Sequence, residues 1–161
     1  MRQATAVALK GKKAVGVLFS AHWWTPCRAF ATDLALFYTA SRRWNKKTLE
    51  VVFVSSDKNG GAFQSCLVSM PWLAVPYGET AATAKLLGIC KVRDIPALVI
   101  FDGATGEILT SSGCDDVSKA KETIANPGAV VRRWLNRGQE SSERELWTLK
   151  ATEAVMGIAA V

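Results

Sequence analysis

The sequence predicts a single α/β domain, and three observations support this prediction. Two apolar, Val-rich runs have the length of buried strands: Ala14–Ser20 and Leu49–Ser55. Between them, apolar residues recur at helical spacing, so the chain contains a strand, a helix and a strand in succession. The length of 161 residues, of which 49% are hydrophobic, suits one domain with a substantial core.

The first helix is predicted to begin near Pro26, because proline suits the first turn, where its missing N–H would have no partner. Five residues form its expected core face: Phe30, Leu34, Phe37, Tyr38 and Ser41. A short helical segment is expected over 62–68. The stretch 70–76 combines prolines with apolar residues, which predicts a packed connector and not a strand inside the sheet.

The second half continues with a helix expected over 80–89 and a third buried strand over 97–101. The turn at 102–106, which contains Asp and two glycines, is predicted to join this strand to 107–110 as a hairpin.

The C-terminal part is predicted to be helical. A helix is expected over 117–125, with 126–128 as a helix breaker and a short amphipathic turn at 130–136. We expect residues 1–137 to form the core domain and 138–161 a helical extension with acids in its first turn. The extension, which is expected either to dock on a partner or to fold back on the sheet, carries one apolar stripe: Trp147, Ala151, Ala154, Val155 and Ile158.

The charge balance favours acidic partners or phosphate-bearing surfaces without identifying one. The chain has 20 Lys and Arg against 14 Asp and Glu, a formal net charge of +6. The basic pairs at 42–43, 46–47 and 132–133 are scattered, and we interpret them as solvated helix faces. Nucleic acid is therefore not expected as a direct ligand.

The cysteines are widely spaced and include no C-x-x-C pair: Cys27, Cys66, Cys90 and Cys114. With His22 as the one histidine, we expect neither a metal site nor a cofactor. Cys66 and Cys90 lie in apolar sequence and are predicted to be small core residues. No secretory signal is visible, so a reducing compartment is expected, cytoplasmic or, given the basic first 13 residues, mitochondrial. No apolar run approaches the ~20 residues that span a bilayer.

The most specific pattern is F-S-A-H-W-W-T-P-C-R at 19–28, where the first strand meets the first helix. It resembles the active-site stretch F-S-A-x-W-C-P-P-C-R of the tryparedoxins and nucleoredoxins, a branch of the thioredoxin-like superfamily. The connector M-P-W-L-A-V-P of this branch is unbroken at 70–76, and Asp102 with Gly106 matches its D-x-x-x-G hairpin.

The resemblance covers about residues 11–109. It implies a thioredoxin-like three-layer fold with a central mixed β-sheet, a shortened N-terminus and an added C-terminal helix. It also implies that Ile95 and a cis Pro96 form the loop that faces the motif and contacts an extended partner.

The resemblance places Trp24 where the attacking cysteine of the family stands and Cys27 at the resolving position. Trp23, Thr25 and Pro26 complete the motif, and Thr25 departs from it as Trp24 does. Leu18 takes the position of the buried acid found in many thioredoxins.

Thiol–disulfide exchange needs one thiolate to attack a disulfide and a second thiol to resolve the product, and an indole cannot attack sulfur. Two functions remain open. One is a binding or structural subunit of a larger assembly, with a protein partner in the groove or on the C-terminal helix. The other is an oxidoreductase or redox sensor that works through Cys27, with Cys66, Cys90 or Cys114 brought near it. His22 is either a proton shuttle or solvent-facing, and Trp23 and Trp72 are expected in the core or the groove wall.

Overall fold

The computed structural model describes residues 3–138 and 159–160. Along these residues the elements are β1 (Gln3–Ala4), α1 (Thr5–Leu9), β2 (Ala14–Ser20), α2 (Thr25–Ser41), β3 (Leu49–Ser55), α3 (Gly60–Val68), β4 (Leu73–Ala74), α4 (Thr80–Cys90), β5 (Ala97–Asp102), β6 (Ile108–Thr110), α5 (Gly113–Glu122), α6 (Pro127–Gly138) and β7 (Ala159–Ala160).

The central sheet is mixed, as the resemblance implies. Its five strands lie in the order β4-β3-β2-β5-β6. The pairs β2–β3 and β3–β4 are parallel, whereas β2–β5 and β5–β6 are antiparallel. A separate small sheet pairs β1 with β7, Gln3 opposite Ala160.

Helices cover both faces of the sheet, which gives three layers. On one face, α2, α5 and α6 pack on strand residues such as Leu18 and Phe53, with the fully buried Trp134 beside Phe37. On the other face, Leu9 of α1 and Leu86 of α4 pack on the alternate strand residues. Because side chains alternate along a strand, the Val-rich runs supply both cores at once. This confirms the predicted α/β class and the thioredoxin-like fold.

Three boundaries differ from the sequence prediction. Residues 73–74, inside the predicted connector, pair with β3 as an edge strand; the prolines at 71 and 76 stand outside the ladder, so they cost no hydrogen bond. The α5 helix spans Gly113–Glu122 and not 117–125. Pro127 does not simply break the helix: it starts α6, which continues to Gly138 as one helix.

The predicted extension at 138–161, with its apolar stripe, lies outside the described residues except for Gly138 and the strand at 159–160. Its helix and the domain boundary therefore stay predictions. In the described part of the chain, no helix combines the length and the apolar character that crossing a membrane requires.

Candidate functional site

The motif lies at the carboxyl end of β2, where the chain turns into α2. Thr25 and Pro26 are the first two residues of that helix and are exposed. Trp24 precedes them as the N-cap residue with extended backbone, φ −99° and ψ 115°. Its carbonyl accepts hydrogen bonds from the amides of Cys27 at 3.0 Å and Arg28 at 3.2 Å. The side chain of Trp24 is therefore presented at the positive end of α2.

The two indoles are exposed and the thiol behind them is not. Trp23 is 53% exposed, Trp24 44% and Cys27 1%. The indole rings are tilted by 50° with their centroids 6.0 Å apart. A substrate disulfide approaching the start of α2 would therefore meet apolar rings before it met a sulfur atom.

Hydrogen bonds from two sides fix the loop before the helix. The guanidinium of Arg28 donates to the carbonyl of His22 and, at 2.9 Å, to the hydroxyl of Thr25. The amide of His22 donates to Oδ1 of Asp57 at 2.7 Å, and Oδ2 of Asp57 accepts from the Ser55 hydroxyl at 2.8 Å. His22 is half-buried, and both of these contacts involve its backbone and not its imidazole.

Asp57 is a site residue that the sequence analysis did not single out. It is buried, with 8% exposure, and follows β3, the parallel neighbour of β2. The carboxyl ends of parallel strands meet at one edge of a sheet. Because the motif follows β2 and Asp57 follows β3, the two lie side by side at that edge. Leu18, which the resemblance places where many thioredoxins have a buried acid, is fully buried.

The second loop meets the motif because β5 runs antiparallel to β2. Ala97 pairs with Phe19, so the residue before Ala97 lies level with the end of β2. The Ile95–Pro96 peptide bond is cis, the isomer that the resemblance implies. The carbonyl of Pro96 accepts a weak hydrogen bond from the Cys114 thiol at 3.6 Å.

A groove of about 420 Å³ separates the two loops. Trp23, Trp24 and Ile95 line it, and Ser56, Leu87, Val92, Arg93 and Asp94 complete its wall. Of the residues that the sequence singles out, the groove thus gathers the two indoles and Ile95. Thr25, Pro26, Cys27 and Pro96 do not line it. Trp72 lies elsewhere, buried in the core with its ring edge toward Tyr38.

The remaining thiols are held in their protonated form. Burial, followed by the charges of Asp57 and Cys27, raises the pKa of the Cys66 thiol to about 11. Burial is the main cause that raises the pKa of the Cys114 thiol to about 12. A hydrogen bond with the Leu98 backbone lowers this pKa, and the charges of Asp115 and Cys27 raise it further. Burial alone raises the pKa of Cys90 to about 12. All four cysteines are free, and Cys66 and Cys90 are buried, as predicted.

The pKa shifts of the other cysteines differ in whether a charge on Cys27 contributes to them. A charge on Cys27 affects both Cys66 and Cys114, whereas Cys90 has no such neighbour. Cys66 and Cys114 are therefore the thiols that would respond to ionisation of Cys27. Among the described residues, no three histidine, cysteine or acidic side chains converge as metal ligands would.

The fold and the groove together define a class of protein. The family model described as thioredoxin-like matches residues 11–108, so the chain belongs to the thioredoxin-like family. Its branch follows from individual relatives. Nucleoredoxin of Danio rerio is 39% identical over 113 residues, which are 70% of this chain and 26% of the relative. Nucleoredoxin of Bos taurus is 38% identical over 99 residues, 62% of this chain and 22% of the relative.

Solved structures agree with this assignment. The structure of tryparedoxin II complexed with glutathionylspermidine matches with a TM-score of 0.67 and 35% identity, covering 73% of this chain and 79% of the other. Tryparedoxin I from Crithidia fasciculata matches with a TM-score of 0.65, 35% identity and the same two coverages. The chain is thus a member of the tryparedoxin/nucleoredoxin branch. It spans 22% to 26% of the length of the two nucleoredoxins.

Proposed function

We propose that this protein has lost dithiol–disulfide exchange and serves as a binding or structural subunit of a larger assembly, with the groove as its contact surface for a protein partner. The observation that carries the proposal is Trp24. It is the N-cap residue of α2, the position that the resemblance assigns to the attacking cysteine, and it lines the groove, while Cys27 is 1% exposed.

The neighbouring thiols support the loss of activity. Exchange proceeds through thiolates, and a thiol with a pKa of about 11 or 12 is almost entirely protonated at neutral pH. Neither Cys66 nor Cys114 is therefore an efficient substitute for the missing nucleophile. The carboxylate of Asp57 accepts hydrogen bonds from the His22 amide and the Ser55 hydroxyl, which suits a structural role.

The lining of the groove suits recognition of a polypeptide. It combines the exposed indoles of Trp23 and Trp24 with the charges of Arg93 and Asp94. Aromatic anchors surrounded by polar groups are typical of protein–protein contact surfaces. A pull-down with the intact protein and with Trp23→Ala should recover a partner only with the former.

The activity half of the proposal is tested by the reduction of insulin disulfides with dithiothreitol as electron donor. We expect the natural protein not to exceed the dithiothreitol background. Trp24→Cys should gain measurable turnover, because it puts a thiol into the field of the α2 N-terminus, three residues before Cys27. Trp23→Cys is the matched control: it adds an exposed thiol one residue away from the N-cap and should stay inactive.

A second function is favoured by the coupling of Cys27 to two other thiols. In it, the chain is a thiol-disulfide oxidoreductase or redox sensor that works through the single motif thiol Cys27, with Cys66 or Cys114 nearby. Turnover by the natural protein that disappears in Cys27→Ser would establish this function and overturn the first. Titration of the native thiols separates the two functions independently: four slow thiols support the subunit, and one fast thiol at Cys27 supports the sensor.

A further inference from the structure

A second exposed surface lies at the end of the sheet opposite the motif. Two segments meet there: residues 10–13, which lead into β2, and residues 42–47, which connect α2 to β3. The amide of Lys13 donates to the Lys47 carbonyl at 2.7 Å, and Nζ of Lys12 donates to the Lys46 carbonyl at 3.0 Å. The fold thus brings exposed side chains that are apart in the sequence to one end of the sheet. We call these five cations and one indole the basic face: Lys10, Lys13, Arg43, Trp44, Lys46 and Lys47.

This arrangement corrects our interpretation of two of the basic pairs, 42–43 and 46–47, as scattered solvated helix faces; the third pair, 132–133, lies exposed on α6 as interpreted. Residues 42–43 and 46–47 lie at the end of α2 and in the following loop, with Trp44 between them, and residues 10–13 pack against that loop. The charges are concentrated because β2 and β3 are adjacent and parallel, so the segments that precede them meet at one edge.

The positive charge of the basic face is not neutralised by the described acids around it. Glu50 is buried and is engaged by Lys12 at 2.9 Å and Arg42 at 3.8 Å, neither of which belongs to the face. Asp102, which pairs with Ala14 across the sheet, accepts hydrogen bonds from the amides of its own turn. In the described part of the chain, the five cations of the face have no carboxylate partner, and all five are exposed.

Trp44 supplies the apolar element of the basic face. Its side chain is 89% exposed, and the guanidinium carbon of Arg43 lies 5.2 Å from its ring centroid. Val7, 64% exposed, stands three residues before Lys10, whose amide donates to the Val7 carbonyl at 3.4 Å. Indoles with this combination of an apolar body and a polar N–H are enriched at the headgroup level of bilayers.

We propose that the basic face binds the anionic surface of a phospholipid membrane, with Trp44 among the headgroups and the five cations over the lipid phosphates and carboxylates. The positive charge of the face favours an anionic partner. Each Lys or Arg near an anionic membrane surface raises the affinity for that surface about fivefold. A ring 89% exposed protrudes from the surface and does not line a channel. That suits insertion between headgroups better than the stacking of successive bases, for which single-stranded nucleic acid binders use grooves with several aromatics.

The test is co-sedimentation of the full chain with vesicles of phosphatidylcholine alone or mixed with phosphatidylserine. Binding is expected only to the anionic vesicles, and it should weaken as salt is added. Lys46→Gln with Lys47→Gln should weaken binding by roughly 25-fold, the product of two fivefold losses. Trp44→Ala should also weaken it, with an unchanged melting temperature because the ring is almost fully exposed.

A charge-matched control is available in Lys58→Gln with Lys85→Gln, which removes two exposed cations elsewhere on the domain. The proposal is overturned if this control loses as much affinity as the pair at 46–47, or if the chain binds both kinds of vesicle equally. It is also overturned if the chain does not bind the anionic vesicles. If it instead binds a single-stranded oligonucleotide and Trp44→Ala abolishes that binding, the face is a nucleic-acid surface.

Discussion

Replacing Gly113 with alanine should destabilise the domain and disturb the groove. Gly113 is buried and begins α5, where that helix lies directly on β5. A Cβ atom at this position would stand 2.5 Å from the carbonyl oxygen of Leu98 and 2.8 Å from its side-chain Cγ. Because the first of these atoms belongs to the backbone of an inner strand, the strand cannot yield without breaking its pairing, and α5 has to move.

The size of the effect follows from this overlap. Overpacking of this kind costs about 1–3 kcal/mol. For a chain of this length each kcal/mol lowers the melting temperature by about 2–4 °C, so a fall of roughly 2–12 °C is expected. Cys114 follows Gly113 and contacts the Pro96 carbonyl, so the shift should also reach the cis-proline loop and make the Cys114 thiol faster to alkylate.

Gly88→Ala is the control with the opposite sign. Gly88 lies in α4, is exposed, and its Cβ would have nothing within 4 Å. Alanine there should stabilise by about 0.4–1 kcal/mol, because it restricts the unfolded chain and favours the helix. Thermal and urea denaturation of both variants give the comparison. A Gly113→Ala protein that is as stable as the natural one, or is shifted upward like Gly88→Ala, would refute the close approach of α5 to β5.

Two further predictions concern the thiols. Stability should fall as pH rises above about 9, because the unfolded cysteines ionise near 9.0 while folded Cys66 and Cys90 hold their protons to about 11 and about 12. Urea denaturation across this range should show the fall, and a Cys90→Ala protein should show a smaller one. Asp57→Asn should lower the pKa of Cys66, because the negative charge of this carboxylate helps to raise it. The pKa of Cys90 should stay unchanged, because burial alone raises it. The test is the alkylation rate of each cysteine as a function of pH, followed by mass spectrometry. Equal pKa shifts at Cys66 and Cys90 would instead show that the substitution loosens the whole domain.

Most of the fold could be predicted from the sequence because its elements are locally encoded. The continuous apolar runs of β2 and β3 are confirmed with matching bounds, and α2 is confirmed with a start one residue before Pro26. The connector at 70–76 and the motif at 19–28 sufficed to predict the branch. One boundary that failed depended on a neighbouring element: the isolated pair at 73–74 becomes a strand only because β3 offers a free edge.

The candidate site was only partly predictable for the same reason. Trp24 and Ile95 could be paired because the resemblance places their loops together, and the structure puts both in one groove. Asp57 and the basic face owe their positions to the parallel pairing of β2 with β3, which brings separate segments to each end of the sheet. The pairing of two strands leaves no periodic pattern in the sequence of either segment. The basic residues therefore appeared dispersed when only the sequence was considered.

The antiparallel insertion of β5 beside β2 also sets the order in which the groove comes into existence. Trp23 and Trp24 leave the ribosome before Ile95 and Arg93, which follow only after β3, α3 and α4 have been made. Once β2, α2 and β3 have emerged from the ribosome, they can form the parallel β2–α2–β3 unit. At that stage the wall with Trp23 and Trp24 exists, but the wall with Ile95 does not. The partner that we propose, if it contacts both walls, would therefore find its site only on a chain that has been translated beyond Ile95.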